Sequence, residues 1–291
     1  MAGCKADMRL PDLTLDQARA AGVKTVVVGV ANRGGVISQA GIAVLIAALE
    51  AGFDLASGLH NLLCDEPDLA AAAARTGRVL HDLRVPSVDY PIANGVKRRL
   101  AVGTDCSGGK MNMTLALDAE MRRRGLNSSF RATGQTGILI TGGGVPLDAV
   151  VADFMAGAVE WLTPDTDPDH CDMIEGQGSL FHVSFSGVRL ALIHGGQPDA
   201  LVICHAPTRT HMRGRPGYSL PSSERLRDMV PALARVANPS CVAIGVSINT
   251  RHMGDAEATA CPAGAEARMG LPAVDPFRHG AGRLADALAA V

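Results

Sequence analysis

Aromatic residues are scarce in this chain: 3% of 291 residues, with one Trp, two Tyr and six Phe. A core of ordinary size must therefore be built from Ala, Val, Leu, Ile and Met, and the hydrophobic content of 47% is enough for one. Net charge is also nearly absent, at −2, which removes the electrostatic case for nucleic acid or a membrane surface as partner. No apolar run reaches membrane-spanning length, and the N-terminal MAGCKADMRLPD has no apolar signal segment. The seven cysteines are odd in number, scattered and without a CxxC pair. They fit reduced thiols better than a disulfide framework, so a cytoplasmic location is expected. HExxH is missing and Cys/His spacing is loose, so no metal site is expected. Neither GxGxxG after the first strand nor GxSxG around Ser179 is present, which argues against a dinucleotide fingerprint and a serine hydrolase.

What is present is an α/β alternation. Lys24-Thr-Val-Val-Val-Gly-Val is a continuous β-branched run, the pattern of a buried parallel strand. A loop holding Asn32, Arg33, Gly34 and Gly35 follows, then a helix over 37–51 closed by Gly52. A second strand over 54–58 runs into His60 and Asn61, and an Ala-rich helix over 67–75 leads to a third strand over 78–83. Ligands of such sheets sit beyond the carboxyl ends of the strands, which places Asn32, Arg33 and His60 on the useful edge; turn chemistry is their plain alternative. The proline- and arginine-containing segment 85–99 reads as a linker, giving domains 1–95 and 96–291.

The second domain opens on Gly103-Thr104-Asp105-Cys106-Ser107-Gly108-Gly109-Lys110, between a short strand and a helix with apolar Met113, Leu117 and Met121. Strand, glycine loop with lysine and helix form a phosphate-binding P-loop: backbone N–H groups line the loop, the helix N-terminus is positive, and Lys110 adds a full charge. Five residues separate Gly103 from the Gly109-Lys110 pair, where four are usual. Met111 replaces the Ser or Thr whose hydroxyl would hold Mg²⁺, and a thioether is a poor ligand for that ion. The loop is thus suited to phosphate and poorly equipped for nucleotide hydrolysis.

Beyond it the alternation continues: a strand over 129–133 running into Gly134-Gln135-Thr136-Gly137, a long apolar helix over 146–162 after the turn Gly142-Gly143-Gly144, a strand ending at Glu175, a helix over 188–194, a strand ending at His205, a helix over 224–236 and a strand ending at Asn249. Glu175, before Gly176-Gln177-Gly178, is placed to meet a reacting group, with a surface or capping acid as its alternative. Gln135 and Thr136, after the neighbouring strand, are neutral donors suited to orienting a substrate or an oxyanion. His182, His194, His205 and His211 are each more simply read as structural, and Arg209, Arg213 and Arg215 form either an anion-binding or a solvated basic loop.

The extended loop resembles that of dethiobiotin synthetase-like enzymes, which share an acid-Gly-x-Gly corner and a late strand ending in Asn. A closer resemblance spans nearly the whole chain. It is carried by Ser57-Gly-Leu-His60, Arg131-Ala-Thr-Gly-Gln-Thr-Gly-Ile-Leu-Ile, Val150-Val-Ala-Asp-Phe-Met-Ala-Gly-Ala, Glu175-Gly-Gln-Gly-Ser-Leu-Phe-His and Gln197-Pro-Asp-Ala-Leu-Val-Ile-Cys-His. These look like the D-glutamate N-acetyltransferase family, long catalogued as a domain of unknown function. Its members carry roughly one more strand–helix unit ahead of Gly3-Cys-Lys-Ala-Asp. The resemblance implies a Rossmann-like domain followed by a P-loop NTPase-like domain, both with parallel sheets. It further implies acetyl-CoA as co-substrate, held by residues 103–111 and Asn249, with small-molecule substrates and a homo-oligomer. Glu175 is then the first candidate base and His205 the second, with Gln135 and Gln177 toward the oxyanion and Arg131, Arg209 or Arg33 on the substrate carboxylates. Two alternatives stay open: an ATP- and Mg²⁺-dependent ligase or kinase of dethiobiotin synthetase type, and a nucleotide-binding protein without turnover.

Overall fold

Hydrophobic segments of strand length alternate with helical ones from residue 15 onward, and they fold as parallel sheets covered by helices. The computed structural model describes residues 10–30, 36–86, 88–93, 98–103, 108–164, 167 and 169–291. The chain divides into two units, Met1–Val85 and Pro86–Val291.

In the first unit, α1 (Leu15–Ala20) precedes β1 (Thr25–Val28), α2 (Gln39–Glu50), β2 (Asp54–Ser57), α3 (Pro67–Thr76) and β3 (Leu80–Asp82). The strands pair in the order β1-β2-β3, all parallel. Helix starts follow local chemistry: Thr14 and Gln17 form a capping box on α1, and the Ser38 hydroxyl accepts from Gly41 N at 3.1 Å on α2. Leu49, Phe53, Leu55, Leu63 and Leu69 are fully buried and form the core with the inner faces of α2 and α3. Each such side chain contributes about 2 kcal/mol by leaving water. At the end of β3, Asp82 accepts from Leu63 N at 2.7 Å and Cys64 N at 3.1 Å, which fixes the loop after β2.

The second unit contains β4 (Arg98–Gly103), α4 (Lys110–Arg123), β5 (Ser128–Arg131), α5 (Gln135–Thr141), 3₁₀ turns at Leu147–Ala149 and Ala152–Phe154, α6 (Met155–Leu162), β6 (Cys171–Ile174) and α7 (Ser186–Gly196). It continues through β7 (Pro198–His205), β8 (His211–Met212), β9 (Arg215–Ser219), α8 (Ser223–Ala234), β10 (Val242–Ile248), α9 (Asp255–Met269), β11 (Ala273–Val274), α10 (Pro276–His279) and α11 (Gly282–Ala289). Six strands form one parallel sheet in the order β11-β10-β7-β4-β6-β5. Alternate residues of β7 serve opposite faces, as the pleat requires. Leu201 and Ile203 pack with α6, α7 and α8, whereas Ala200, Val202 and Cys204 pack with α4 and α11. The sheet is therefore covered on both sides, and the strand leading into the glycine loop lies inside it between β7 and β6.

Two expectations from the sequence are corrected. The helix expected over 146–162 is two 3₁₀ turns and only then α6, because Pro146 opens the segment and Val150 and Val151 adopt extended backbone. Helix α5, N-capped by Gly134 and stopped by left-handed Gly142, was not anticipated between β5 and the glycine turn. The basic loop after β7 is a two-stranded antiparallel ribbon, β8 with β9. Helix α9, with Pro262 inside it, was not anticipated. Among the described residues no helix is long and apolar enough to cross a membrane.

Helices α6 and α7 approach through glycine. A Cβ on Gly195 would run into the backbone of Ala156, and one on Gly157 into the carbonyl of Pro91. Backbone atoms cannot rotate out of the way. Gly195→Ala is therefore expected to destabilise the protein by about 1–3 kcal/mol, read as a lower midpoint in urea unfolding at unchanged slope; an unchanged midpoint would show that the two helices can separate at no cost.

Candidate functional site

The carboxyl ends of β4, β5, β6, β7 and β10 bring together Gly103, Thr133, Glu175, His205 and Asn249, where parallel sheets bind their ligands. The centre of the arrangement is Thr133, two residues past the end of β5 and fully buried. Its backbone N donates to Glu175 Oε2 at 2.9 Å, and its hydroxyl donates to the Glu175 carbonyl at 2.8 Å. Its carbonyl accepts from Gln177 Nε2 and, at 3.1 Å, from Leu147 N. Gly134 N adds a second backbone donor to Glu175 Oε2 at 3.0 Å. One oxygen of the Glu175 carboxyl is thus fixed by the start of α5. The other, Oε1, faces Gly134, where an added Cβ would lie 3.3 Å away.

Glu175 is buried, and burial pushes its pKa above the usual carboxylate range. The two backbone donors and the Lys110 ammonium oppose that rise, and the Asp148 carboxylate reinforces it. Lys110 and Asp148 therefore both act on this carboxyl from nearby. Gly137 leaves room for it, since a Cβ there would collide with Glu175 Oε2.

Lys110 is the first residue of α4 and is buried. Gly109 before it is left-handed, with φ of 99°, a conformation glycine adopts without strain. A Cβ there would lie 3.6 Å from Asn249 Nδ2, so the Asn249 side chain lies alongside the end of the glycine loop. Asn249 is itself tied down: its N donates to the His205 carbonyl at 2.8 Å and its Oδ1 accepts from Arg251 N at 3.2 Å. Met111 turns away from this work. Its side chain packs against the apolar cluster of Phe130, Ala132 and Ile138. The missing hydroxyl of the sequence motif is thus a position given over to packing α4 on β5.

His205 ends β7, and burial, helped by the Arg268 charge, pushes its pKa below the usual imidazole value. Its neighbour Cys204 is fully buried with a thiol pushed up to about 11, chiefly by burial, so it stays protonated and is no nucleophile. Gln135 occupies the first turn of α5, half-buried.

Other predicted residues lie elsewhere. Arg131 Nε is paired with the buried Asp172 at 2.6 Å, within the sheet. Arg209 sits in the turn before β8, its N donating to the Ala206 carbonyl at 3.1 Å. His60 belongs to the first unit, where Arg84 reaches its ring at 3.3 Å. Asn32, Arg33 and Thr104, Asp105, Cys106 and Ser107 lie outside the described residues. His182 is structural: buried, stacked on Phe185, and bonded to the Arg213 carbonyl at 3.1 Å. His194 and His211 are exposed. Thr133 and Asp148 were missed by reading the sequence. Thr133 acts largely through backbone atoms, and Asp148 is brought in by a 3₁₀ turn where a helix was expected.

The comparisons agree with this geometry. Residues 1–86 match the model described as "Domain of unknown function (DUF1611_N) Rossmann-like domain". Residues 91–285 match "Domain of unknown function (DUF1611_C) P-loop domain". A protein of Tritonibacter scottomollicae named D-glutamate N-acetyltransferase is 69% identical, over 99% of this chain and 88% of its own length. One from Pseudoalteromonas sp with the same name is 43% identical, over 96% of this chain and 85% of its own. The crystal structure of a DUF1611 family protein from Anabaena variabilis ATCC 29413 is similar with a TM-score of 0.87 at 35% identity, covering 96% of this chain and 83% of that one. A Rossmann-like unit followed by a P-loop unit, matched over nearly the full chain, places this protein in the DUF1611 family.

Proposed function

We propose that this protein transfers an acetyl group from acetyl-CoA to the amine of D-glutamate. The observation that carries the reading is the clamped carboxyl of Glu175, one oxygen held by two backbone N–H groups, within electrostatic reach of Lys110 at the head of the P-loop helix. The names of the two full-length relatives support the substrate. In this reading the glycine loop, the α4 N-terminus and Lys110 hold the pyrophosphate of acetyl-CoA. Met111, packed in an apolar cluster, offers no hydroxyl for Mg²⁺, which fits phosphate binding without phosphate cleavage.

Glu175 takes a proton from the substrate ammonium, directly or through one water. The freed nitrogen lone pair attacks the thioester carbonyl carbon, and the carbonyl π electrons move onto oxygen. The second Nε2 proton of Gln177, whose first is engaged by Thr133, stabilises that oxyanion. Gln135, on α5, supplies a further donor. Collapse of the intermediate breaks the C–S bond, the CoA thiolate leaves and takes up a proton, and the amide nitrogen loses its extra one. His205, largely neutral at pH 7, is the second candidate base. Arg209 is the candidate partner for a substrate carboxylate. A cytoplasmic homo-oligomer completes the proposal; the compartment is supported by Cys64, Cys171, Cys204, Cys241 and Cys261, all free thiols.

Three outcomes are expected. Calorimetric titration gives saturable acetyl-CoA binding that Lys110→Ala abolishes; binding of Mg-ATP alone would replace acetyl transfer by the ligase reading. Glu175→Gln lowers kcat by about 10²–10⁴. A base works only when deprotonated, so kcat/KM should fall as pH drops through a midpoint above the usual carboxylate range. Burial raises Glu175 and lowers His205, and either base gives an acid limb, so the variant decides: the acid limb disappears in Glu175→Gln, and its persistence there with loss in His205→Asn would make His205 the base. Finally, Gly137→Ala pushes on Glu175 Oε2 and should lower kcat about tenfold or more while leaving the Kd for acetyl-CoA unchanged; unchanged kcat would show that the carboxyl need not be held.

A further inference from the structure

Arg189 is the bulkiest of the fully buried side chains among the described residues. It lies in the first turn of α7, directly after the glycine corner and its short connecting loop. Burying a guanidinium is costly, and an apolar side chain of similar volume would pack there at less expense. Its position therefore points to a bond that an apolar group cannot make. Nη2 reaches back to the carbonyl of Gly178 at 3.5 Å.

The segment it holds is tightly specified. Gly178 is left-handed, with φ of 55°, and a Cβ there would run into the carbonyl oxygen of Phe185. Ser179 is fully buried, and Phe181 N donates to its hydroxyl at 3.4 Å. The His182 ring accepts from Ser184 N at 3.1 Å and stacks on Phe185. The loop from 178 to 185 is thus closed on itself just ahead of α7, and the guanidinium ties its first carbonyl to that helix. Two residues upstream of that carbonyl the chain carries Gly176 and Gln177, and one more leads to Glu175. The Arg189 charge also reaches the Cys204 sulfur, at the end of β7 beside His205.

We propose that Arg189 is a positioning residue for acyl transfer, its guanidinium holding the Gly178 carbonyl so that the Glu175 and Gln177 side chains upstream keep their aim. This rests on the acetyltransferase reading above. A lysine would keep the charge but lose the fork, so it separates geometry from electrostatics.

The test uses Arg189→Lys, Gly178→Ala and the double variant of the full chain, with acetyl-CoA and D-glutamate. Each single variant should lower kcat roughly ten- to hundredfold with the KM for acetyl-CoA changed by no more than about twofold. Because both act on one corner, the double variant should be no slower than the slower single one. Amide hydrogen exchange followed by mass spectrometry should show lost protection at 176–181 in Arg189→Lys, with β7 and α4 unchanged. Unchanged kcat per folded molecule, multiplying losses in the double variant, or retained protection at 176–181 would each overturn the proposal. Exchange needs no turnover. If the unsubstituted protein transferred no acetyl group, the acetyltransferase reading would fall, and retained or lost protection at 176–181 would still decide whether Arg189 holds the corner.

Discussion

The site depends on a set of hydrogen bonds made by one buried residue, Thr133. Its N–H and hydroxyl both serve Glu175, and its carbonyl serves Gln177 and the turn that brings in Asp148. Burial without such donors would favour the protonated carboxyl; with them, the charged form is supported and one oxygen is fixed by two backbone N–H groups. Burial raises the Glu175 pKa, the two backbone donors and then Lys110 oppose the rise, and Asp148 adds to it. Because the donors are backbone atoms at the junction of β5 and α5, the geometry is inherited from the sheet itself.

The glycine positions around this carboxyl are where the structure leaves the least freedom. Gly137 has no side chain because Glu175 occupies that space, and Gly178 is left-handed against the Phe185 carbonyl. Gly109 turns the chain into α4 beside Asn249. Three positions of different motifs thus call for glycine, each for a distinct reason: steric exclusion, backbone strain and helix entry. Met111 shows the converse. A position that elsewhere would bear a catalytic hydroxyl is used for packing, so α4 is anchored on β5 at the site where a metal ligand would otherwise stand.

Long, strongly patterned elements were readable. The apolar runs of β7 and β10 and the helix after the glycine loop follow from composition and spacing alone, because a buried parallel strand has to be continuous in apolar residues. The run of β1 marked a parallel strand correctly, but β1 lies at the edge of its sheet and none of its residues is buried. The segment 146–162 was misread, since apolar content without attention to Pro146 and the Val150-Val151 pair does not separate one helix from two turns and a helix. Arg131 carried a plausible ligand role in sequence, yet the sheet pairs it with Asp172. A charged residue near a motif gives no sign of which neighbour from another strand will meet it.

The sequence by itself determined the α/β alternation, the P-loop, the glutamate corner and the family, because these are written in local patterns and contiguous motifs. Only the tertiary structure decided that Thr133 clamps Glu175 across 42 residues of chain, that Asp148 joins them, and that a buried Arg189 returns to Gly178. Those contacts depend on strand order and on backbone groups whose direction is set by the completed sheet, and no linear pattern of side chains encodes where a backbone N–H will point.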